Sequence, residues 1–235
     1  MAKGEPTDEK LVQDYTSKWY KVRYSGSGEF YHSQIVRQMV SCKPNDKILD
    51  VGCGTGFVSD LNPNLDITGI DISDGMLAQN KHRWIKGSAE EIPFPDNTFD
   101  VVLCRSLLHH LEDTSIGMKE MARVLKPGGT FVCWDPNQSV LNTIFRKLFQ
   151  RTDRFSHLHK SFNDQELFGI IEASGLSITE KQYIGFVGYP ACAFPDILNL
   201  HLPVWFTKLL MWIDDMISKT WLKTWSWSLL VRAKK

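Results

Sequence analysis

The sequence predicts an α/β fold built on a mostly parallel, doubly wound sheet with helices on both faces. Three observations predict it. Short apolar runs alternate with stretches of helical spacing across residues 30–135. One run, Lys47–Val51, leads directly into Gly52-Cys53-Gly54-Thr55-Gly56, the strand-to-loop junction at which open parallel sheets bind ligands. The turn Pro127-Gly128-Gly129 stands just before another apolar run, Thr130–Trp134.

Each element follows from its own residues. Residues 1–29 are polar with scattered aromatics and read as an N-terminal arm ending in the turn YSGSGE. Phe30–Ser41 carries Ile35, Val36, Met39 and Val40 at helical spacing. Lys47–Val51, Ile67–Asp71, Phe99–Cys104 and Thr130–Trp134 read as buried strands, with helices over Ser73–Lys81 and Thr114–Leu125. Gln138–Gln150 and Asn163–Ser174 are helical, the second opening on an Asn or Asp cap and ending at Gly175. Leu176–Ile184 reads as a sixth strand region, and residues 185–204 are rich in Gly, Pro and aromatics. Pro203–Trp221 is a helix with Phe206, Leu209, Leu210, Ile213, Met216 and Ile217 on one side, and Trp227–Ala233 is a closing strand. The whole reads as one domain over 1–235. It has an arm (1–29), a core (30–135), a helical and aromatic cap with a strand (136–225) and a closing strand (226–235).

Composition narrows the function. The chain has 235 residues, with 27 basic and 27 acidic side chains and no formal net charge. That balance lacks the electrostatic footprint of a nucleic-acid-coating protein, and no basic stripe is interleaved with aromatics. No apolar run approaches the roughly 18 residues of a membrane span, and the first ten residues hold no apolar signal core. A cytoplasmic protein is expected. The five cysteines are odd in number and show no Cys-x-x-Cys spacing, so neither a disulfide framework nor a metal site is expected. The sequence sets no oligomeric state.

The glycine loop carries the chemistry. Glycines let backbone turn sharply and approach a ligand closely. The third glycine comes one residue too early for a dinucleotide fingerprint, and no Gly-Lys-Ser/Thr is present to cradle phosphates. Asp71 closes the next strand in Gly69-Ile70-Asp71-Ile72-Ser73. A carboxylate there can accept from both hydroxyls of a ribose, and Ile72 can lie against an adenine face. Together these suit an adenosine that bears no phosphates.

Five motifs in order then resemble those of class I S-adenosylmethionine-dependent methyltransferases, in the branch of the ubiquinone- and menaquinone-biosynthesis-like enzymes and many small-molecule methyltransferases. They are ILDVGCGTG, GIDIS with Met76-Leu77, Gly87–Phe94, FDVVLCRSLLHHLED and RVLKPGGTF, all within residues 30–135. The resemblance implies a Rossmann-like sheet of seven strands with the last inserted antiparallel, plus a helical cap. It implies S-adenosylmethionine as cofactor and S-adenosylhomocysteine as product. Backbone of Gly52, Cys53, Gly54 and Gly56 would hold the methionine part and Asp50 its amino group. Asp71 would hold the ribose, and Ile72, Met76, Ser88 and Ala89 would meet the adenosine. Arg105 would lie near the methyl end. Two departures stand out. Ser88 occupies a position where the family often has Asp, and the helix after the loop has room for only about two turns before Pro63.

Methyl transfer from a sulfonium is an in-line displacement, so positioning does much of the work. A base is required only when the acceptor must lose a proton. Three candidates follow from position: His110 after the fourth strand, Asp135 (beside Asn137) at the end of the fifth, and His159 (beside His157) in the following connection. Packing or capping is the competing role for His110, turn formation for Asp135, and surface position for His159. Tyr20, Tyr24 and Tyr31 either close over the cofactor or anchor the arm. Five of the eight tryptophans fall at 205, 212, 221, 225 and 227. They suit cap packing, an apolar acceptor pocket, or contact of 203–227 with a membrane surface, although Asp214-Asp215 and few lysines weigh against an anionic surface. The expected function is methyl transfer to a small apolar or lipid-like acceptor, with no nucleic-acid partner. A cofactor-holding but non-catalytic accessory subunit is the alternative, and a nicotinamide-dependent oxidoreductase is a third reading that the early glycine opposes.

Overall fold

A computed structural model describes residues 26–140, 142–143, 162–197 and 202–235. Its strands are β1 (Lys47–Val51), β2 (Asp66–Asp71), β3 (Trp84–Lys86), β4 (Phe99–Arg105), β5 (Leu125–Pro136), β6 (Ser177–Ile184) and β7 (Ser228–Lys234). They form one seven-stranded sheet in the order β3-β2-β1-β4-β5-β7-β6. The first five are mutually parallel, and β7 runs antiparallel between β5 and β6. The helices are α1 (Gly26–Met39), α2 (Phe57–Leu61), α3 (Asp74–Leu77), α4 (Thr114–Val124), α5 (Asp164–Ala173), α6 (Gly188–Ile197) and α7 (Val204–Ser218). Two 3₁₀ turns cover Leu108–His110 and Trp221–Trp225. This is the doubly wound α/β sheet that the alternation predicts.

Strand side chains alternate between the two faces, and helices cover both, which is why the central strands bury apolar residues on each face. Leu49, Val51, Val102, Phe131 and Val231 meet Met118 and Met121 of α4 and Leu167 and Ile171 of α5 on one face. Ile48, Val101, Leu103, Val132 and Leu230 meet Ile35, Val36 and Met39 of α1, with Cys192 and Leu210, on the other. All five cysteines are free thiols. Among the described residues no helix is long and apolar enough to cross a membrane.

Several elements differ from the sequence reading. α1 already includes Gly26–Glu29, so those four residues of the expected turn belong to the helix. Ser27 and Gly28 are buried there, and the Ser27 hydroxyl donates to the Cys192 carbonyl at 3.3 Å. The expected helix over Ser73–Lys81 is only one turn, α3. Ser73 caps it by accepting from the Met76 N–H at 3.2 Å. Asn80 then bends the chain back, donating from Nδ2 to the Gly54 carbonyl at 3.1 Å and accepting from the His82 N–H at 2.9 Å. β3 has no apolar period to reveal it, being an exposed edge of three residues. Pro127-Gly128-Gly129 lies inside β5, where the register with β4 shifts between Phe99 and Val101. The cap of α5 is as expected: the Asn163 side chain accepts from the Glu166 N–H, and the Glu166 carboxylate accepts from the Asn163 N–H. Tyr20, Tyr24, His157, His159 and most of Gln138–Gln150 lie outside the described residues.

Candidate active site

β1 delivers the glycine loop to the carboxyl edge of the sheet. Gly52 has φ +74° and Gly56 φ +88°, in the left-handed region that L side chains disfavour. Space demands glycine as well. A Cβ on Gly52 would lie 2.9 Å from the Leu107 side chain, and one on Gly56 would lie 2.6 Å from Asn80 Oδ1. The loop after β4 and the turn after α3 therefore press directly on the glycine loop. Met76 leans on Gly54, and the Cys53 thiol packs against Gly69. Burial pushes that thiol well above its ordinary range, so it stays protonated.

Asp71 at the end of β2 ties this assembly together. Its Oδ2 accepts from the Gly54 N–H at 2.8 Å, and its Oδ1 accepts from the Ser73 N–H at 3.0 Å. Each carboxylate oxygen has a second lone pair, so both can still accept from hydroxyls. Ile72 follows, with its side chain exposed beside the loop. Ser88 is half-buried in a tight turn, its hydroxyl accepting from the Glu90 N–H at 3.1 Å, and Ala89 is buried behind it.

Asp50 is the anomalous residue. It is 1 % exposed, and its Oδ2 is buried with no hydrogen-bond partner. Burial pushes its carboxyl up to about 7, opposed by the positive charge of Arg105 and reinforced by the negative charge of Asp71. Buried polar atoms are nearly always paired, so an orphaned acceptor behind a ligand-binding loop marks a place for a donor from a ligand. Arg105 itself lies over the Phe57 ring, 5.1 Å from its centre.

The end of β5 clamps the loop after β4. Asp135 is fully buried, and its Oδ2 accepts from the Leu107 and Leu108 N–H groups at 3.1 and 3.0 Å. Its Oδ1 lies 2.5 Å from His109 Nδ1. Asp135 therefore neither forms a turn with Pro136, which continues β5, nor presents a free oxygen to the cleft. The His109 ring is buried and stacks on His110 with centroids 4.1 Å apart, while His110 is exposed. His109, which the sequence reading passed over, is the histidine engaged with the carboxylate. Only one of two adjacent histidines in a 3₁₀ turn can face inward, and the sequence does not say which. Asn137 is likewise buried, its Nδ2 donating to the Ser226 carbonyl and hydroxyl at 3.2 and 3.1 Å. Tyr31 anchors α1, with its hydroxyl 3.4 Å from Asp214 Oδ2. Among the described residues no cluster of His, Cys, Asp and Glu could hold a metal ion.

Comparison with known proteins agrees with this geometry. Residues 49–133 match the methyltransferase domain family. A demethylmenaquinone methyltransferase of Symbiobacterium thermophilum is 34% identical over 146 residues, 55% of this chain and 57% of that protein. One from Lysinibacillus sphaericus is 32% identical over 179 residues, 62% of this chain and 76% of that protein. The chain thus spans between about half and three quarters of these relatives. Haemonchus contortus phosphoethanolamine N-methyltransferase 2, solved with S-adenosylmethionine, shares the fold over 97% of this chain and 57% of its own. Its TM-score is 0.64 at 20% identity.

The chain belongs to the class I S-adenosylmethionine-dependent methyltransferases. Within that class its similarity to the demethylmenaquinone methyltransferases places it in the menaquinone-like branch. The residues present fit S-adenosylmethionine as cofactor: the orphaned Asp50 oxygen calls for a donor such as an ammonium, and Asp71, whose negative charge reaches Asp50, stands at the same edge of the sheet.

Proposed function

We propose that the enzyme methylates a small, apolar, quinol-like acceptor. The unpartnered Asp50 oxygen behind an intact glycine loop carries the cofactor half of this reading, and the activities named for the relatives support the acceptor half. When bound, the cofactor supplies an activated methyl group on a sulfonium. Asp50 holds its ammonium, with Gly52, Cys53, Gly54 and Gly56 lining the same end. Asp71 accepts from the ribose hydroxyls, Ile72 and Met76 pack on the adenosine, and Ser88 and Ala89 border the adenine. Ser88 donates or accepts there without the charge of an Asp. Arg105 sits toward the transfer end. Transfer is an in-line displacement promoted by alignment and exclusion of water.

The acceptor's proton goes to the pair of His109 and Asp135. The contact turns Nδ1 to the carboxylate and places Nε2 on the far side of the ring. His110 borders the same turn from outside, and the assignment to His109 rests on the 2.5 Å contact with Asp135. The accessory-subunit alternative is disfavoured by the enzyme relatives and by the retained cradle.

The test is methyl transfer to a reduced, short-chain demethylated naphthoquinol, read as the methylated product by mass spectrometry. Wild type is expected to turn over. His109→Ala should lose roughly 10²–10⁴-fold in rate with unchanged S-adenosylhomocysteine affinity, and His110→Ala should stay close to wild type. Cofactor-bound wild type that leaves every quinol unmethylated would sink the acceptor assignment.

Asp50 adds a pH dependence. Its carboxyl is raised to about 7 in the cofactor-free protein, and holding an ammonium requires the charged form. Binding therefore displaces a proton below that value, and affinity for S-adenosylhomocysteine should fall by up to roughly tenfold per pH unit as pH drops below 7. The sign is opposite for folding of the cofactor-free protein. A raised carboxyl stabilises the fold at acid pH, and that contribution is lost as pH climbs toward 7. Calorimetry across pH 5.5–8 checks both, and Asp50→Asn should bind weakly with a flat profile.

A further inference from the structure

We infer that α7 and the turn after it dock on an anionic lipid surface. At about 100° per residue, Trp205, Leu209, Trp212 and Met216 fall within an arc of about 60°. Thr207, Leu210 and Asp214, the buried residues of α7, lie on the opposite side. The stripe faces water: Trp205 is 67% exposed and Trp212 58%. Trp221, 77% exposed, and Trp225 follow in the turn after the helix, their rings edge to face with centroids 6.4 Å apart. Leu209 and Met216, which the sequence groups on one side with Leu210, belong to this outer face.

A row of exposed indoles is costly in water. Indole combines an apolar body with one N–H donor, the chemistry of the zone between lipid headgroups and chains. The charges agree. In sequence, Asp214-Asp215 weighs against an anionic surface, but the structure removes Asp214 from that face. Its Oδ1 accepts from the Phe186, Val187 and Gly188 N–H groups at 3.1, 2.8 and 3.3 Å, on the inner side of α7. Lys208, Lys219 and Lys223 remain exposed, against Asp215 alone, which pairs with Lys219 at 2.6 Å. The face is therefore aromatic with a net positive rim, which is complementary to anionic headgroups. This inference does not depend on the acceptor.

Co-sedimentation of the full chain with phosphatidylcholine vesicles, with and without phosphatidylglycerol, tests it. Wild type should pellet with the anionic vesicles and less with the neutral ones. Lys208→Gln/Lys223→Gln should lower the partition roughly 25-fold, since each lysine near such a surface contributes about fivefold. Trp205→Ser/Trp212→Ser/Trp221→Ser should lower it by at least about tenfold with unchanged circular dichroism. Ile116→Ser is the control, at a site 46% exposed on α4, and should bind as wild type does. Wild type remaining in the supernatant would overturn the inference, as would a tryptophan variant that pellets equally. So would a soluble dimer that the tryptophan variant splits, because the occupant would then be a second copy.

Discussion

Asp71→Ala should abolish measurable binding of S-adenosylhomocysteine, a loss of at least about 10²-fold. The size follows from two jobs held by one carboxylate. In the proposed site it accepts from ribose hydroxyls, and a hydrogen bond to a charged group is worth about 1.5–3 kcal/mol. It also holds the Gly54 and Ser73 N–H groups, so removing it frees the glycine loop from α3 before any ligand arrives. Asp71→Asn separates the two jobs. An amide keeps one acceptor oxygen, so it should restore part of the loop order while remaining weaker by about tenfold or more in binding. Titration calorimetry gives the affinities, and hydrogen exchange at Gly54 reports the loop. Wild-type affinity in the alanine variant would remove Asp71 from the ribose site.

Asp214→Ala should be the most destabilising substitution in the cap, by about 3–5 kcal/mol. Three backbone N–H groups at the start of α6 would lose their acceptor, and each buried unsatisfied donor costs about 1–3 kcal/mol. Gly188 shows how tight the fit is, since a Cβ there would lie 2.6 Å from Asp214 Oδ2. The same carboxylate receives Tyr31, so α1, α6 and α7 all meet at one side chain. For a domain of this size the melting temperature should fall by roughly 10–15 °C. Burial raises the Asp214 carboxyl, with the backbone donors opposing the shift. A thermal melt near the wild-type value would show that the three helices are held by apolar contact alone.

The placement of the proposed cofactor half was legible because it is local. A strand, three glycines and an acid at the next strand end lie within 24 residues of sequence from Ile48 to Asp71, and each has a backbone reason to be there. The other half was not, because its partners come from distant elements. Asp135 reaches back across the sheet to His109, and nothing near either residue announces the other. The same contrast runs through the fold. β1, β2 and β4 declare themselves by short, mostly buried runs rich in β-branched and other apolar residues, whereas β3 is an exposed edge with no period. α3 stops early because the Asn80 side chain bonds to the glycine loop, an interaction that helix spacing does not encode. α7 is apolar nearly all round, so its sequence alone could not tell the face that packs from the face that is open.

The placement of β7 has a consequence for how the chain is made. β6 joins the sheet only through β7, so the sheet cannot close past β5 until Ser228–Lys234 has been synthesised. At about 5–20 residues per second, the roughly 90 residues between Pro136 and Ser228 take about 5–20 s to emerge. Throughout that interval β5, with Phe131, Val132 and Cys133 at its centre, is an open edge capable of pairing with another nascent chain. The Pro127-Gly128-Gly129 irregularity at its start removes one N–H and disturbs the register, and Pro136 removes another at its end, so the growing chain carries a guard against that mispairing at each end of the strand and none at the centre.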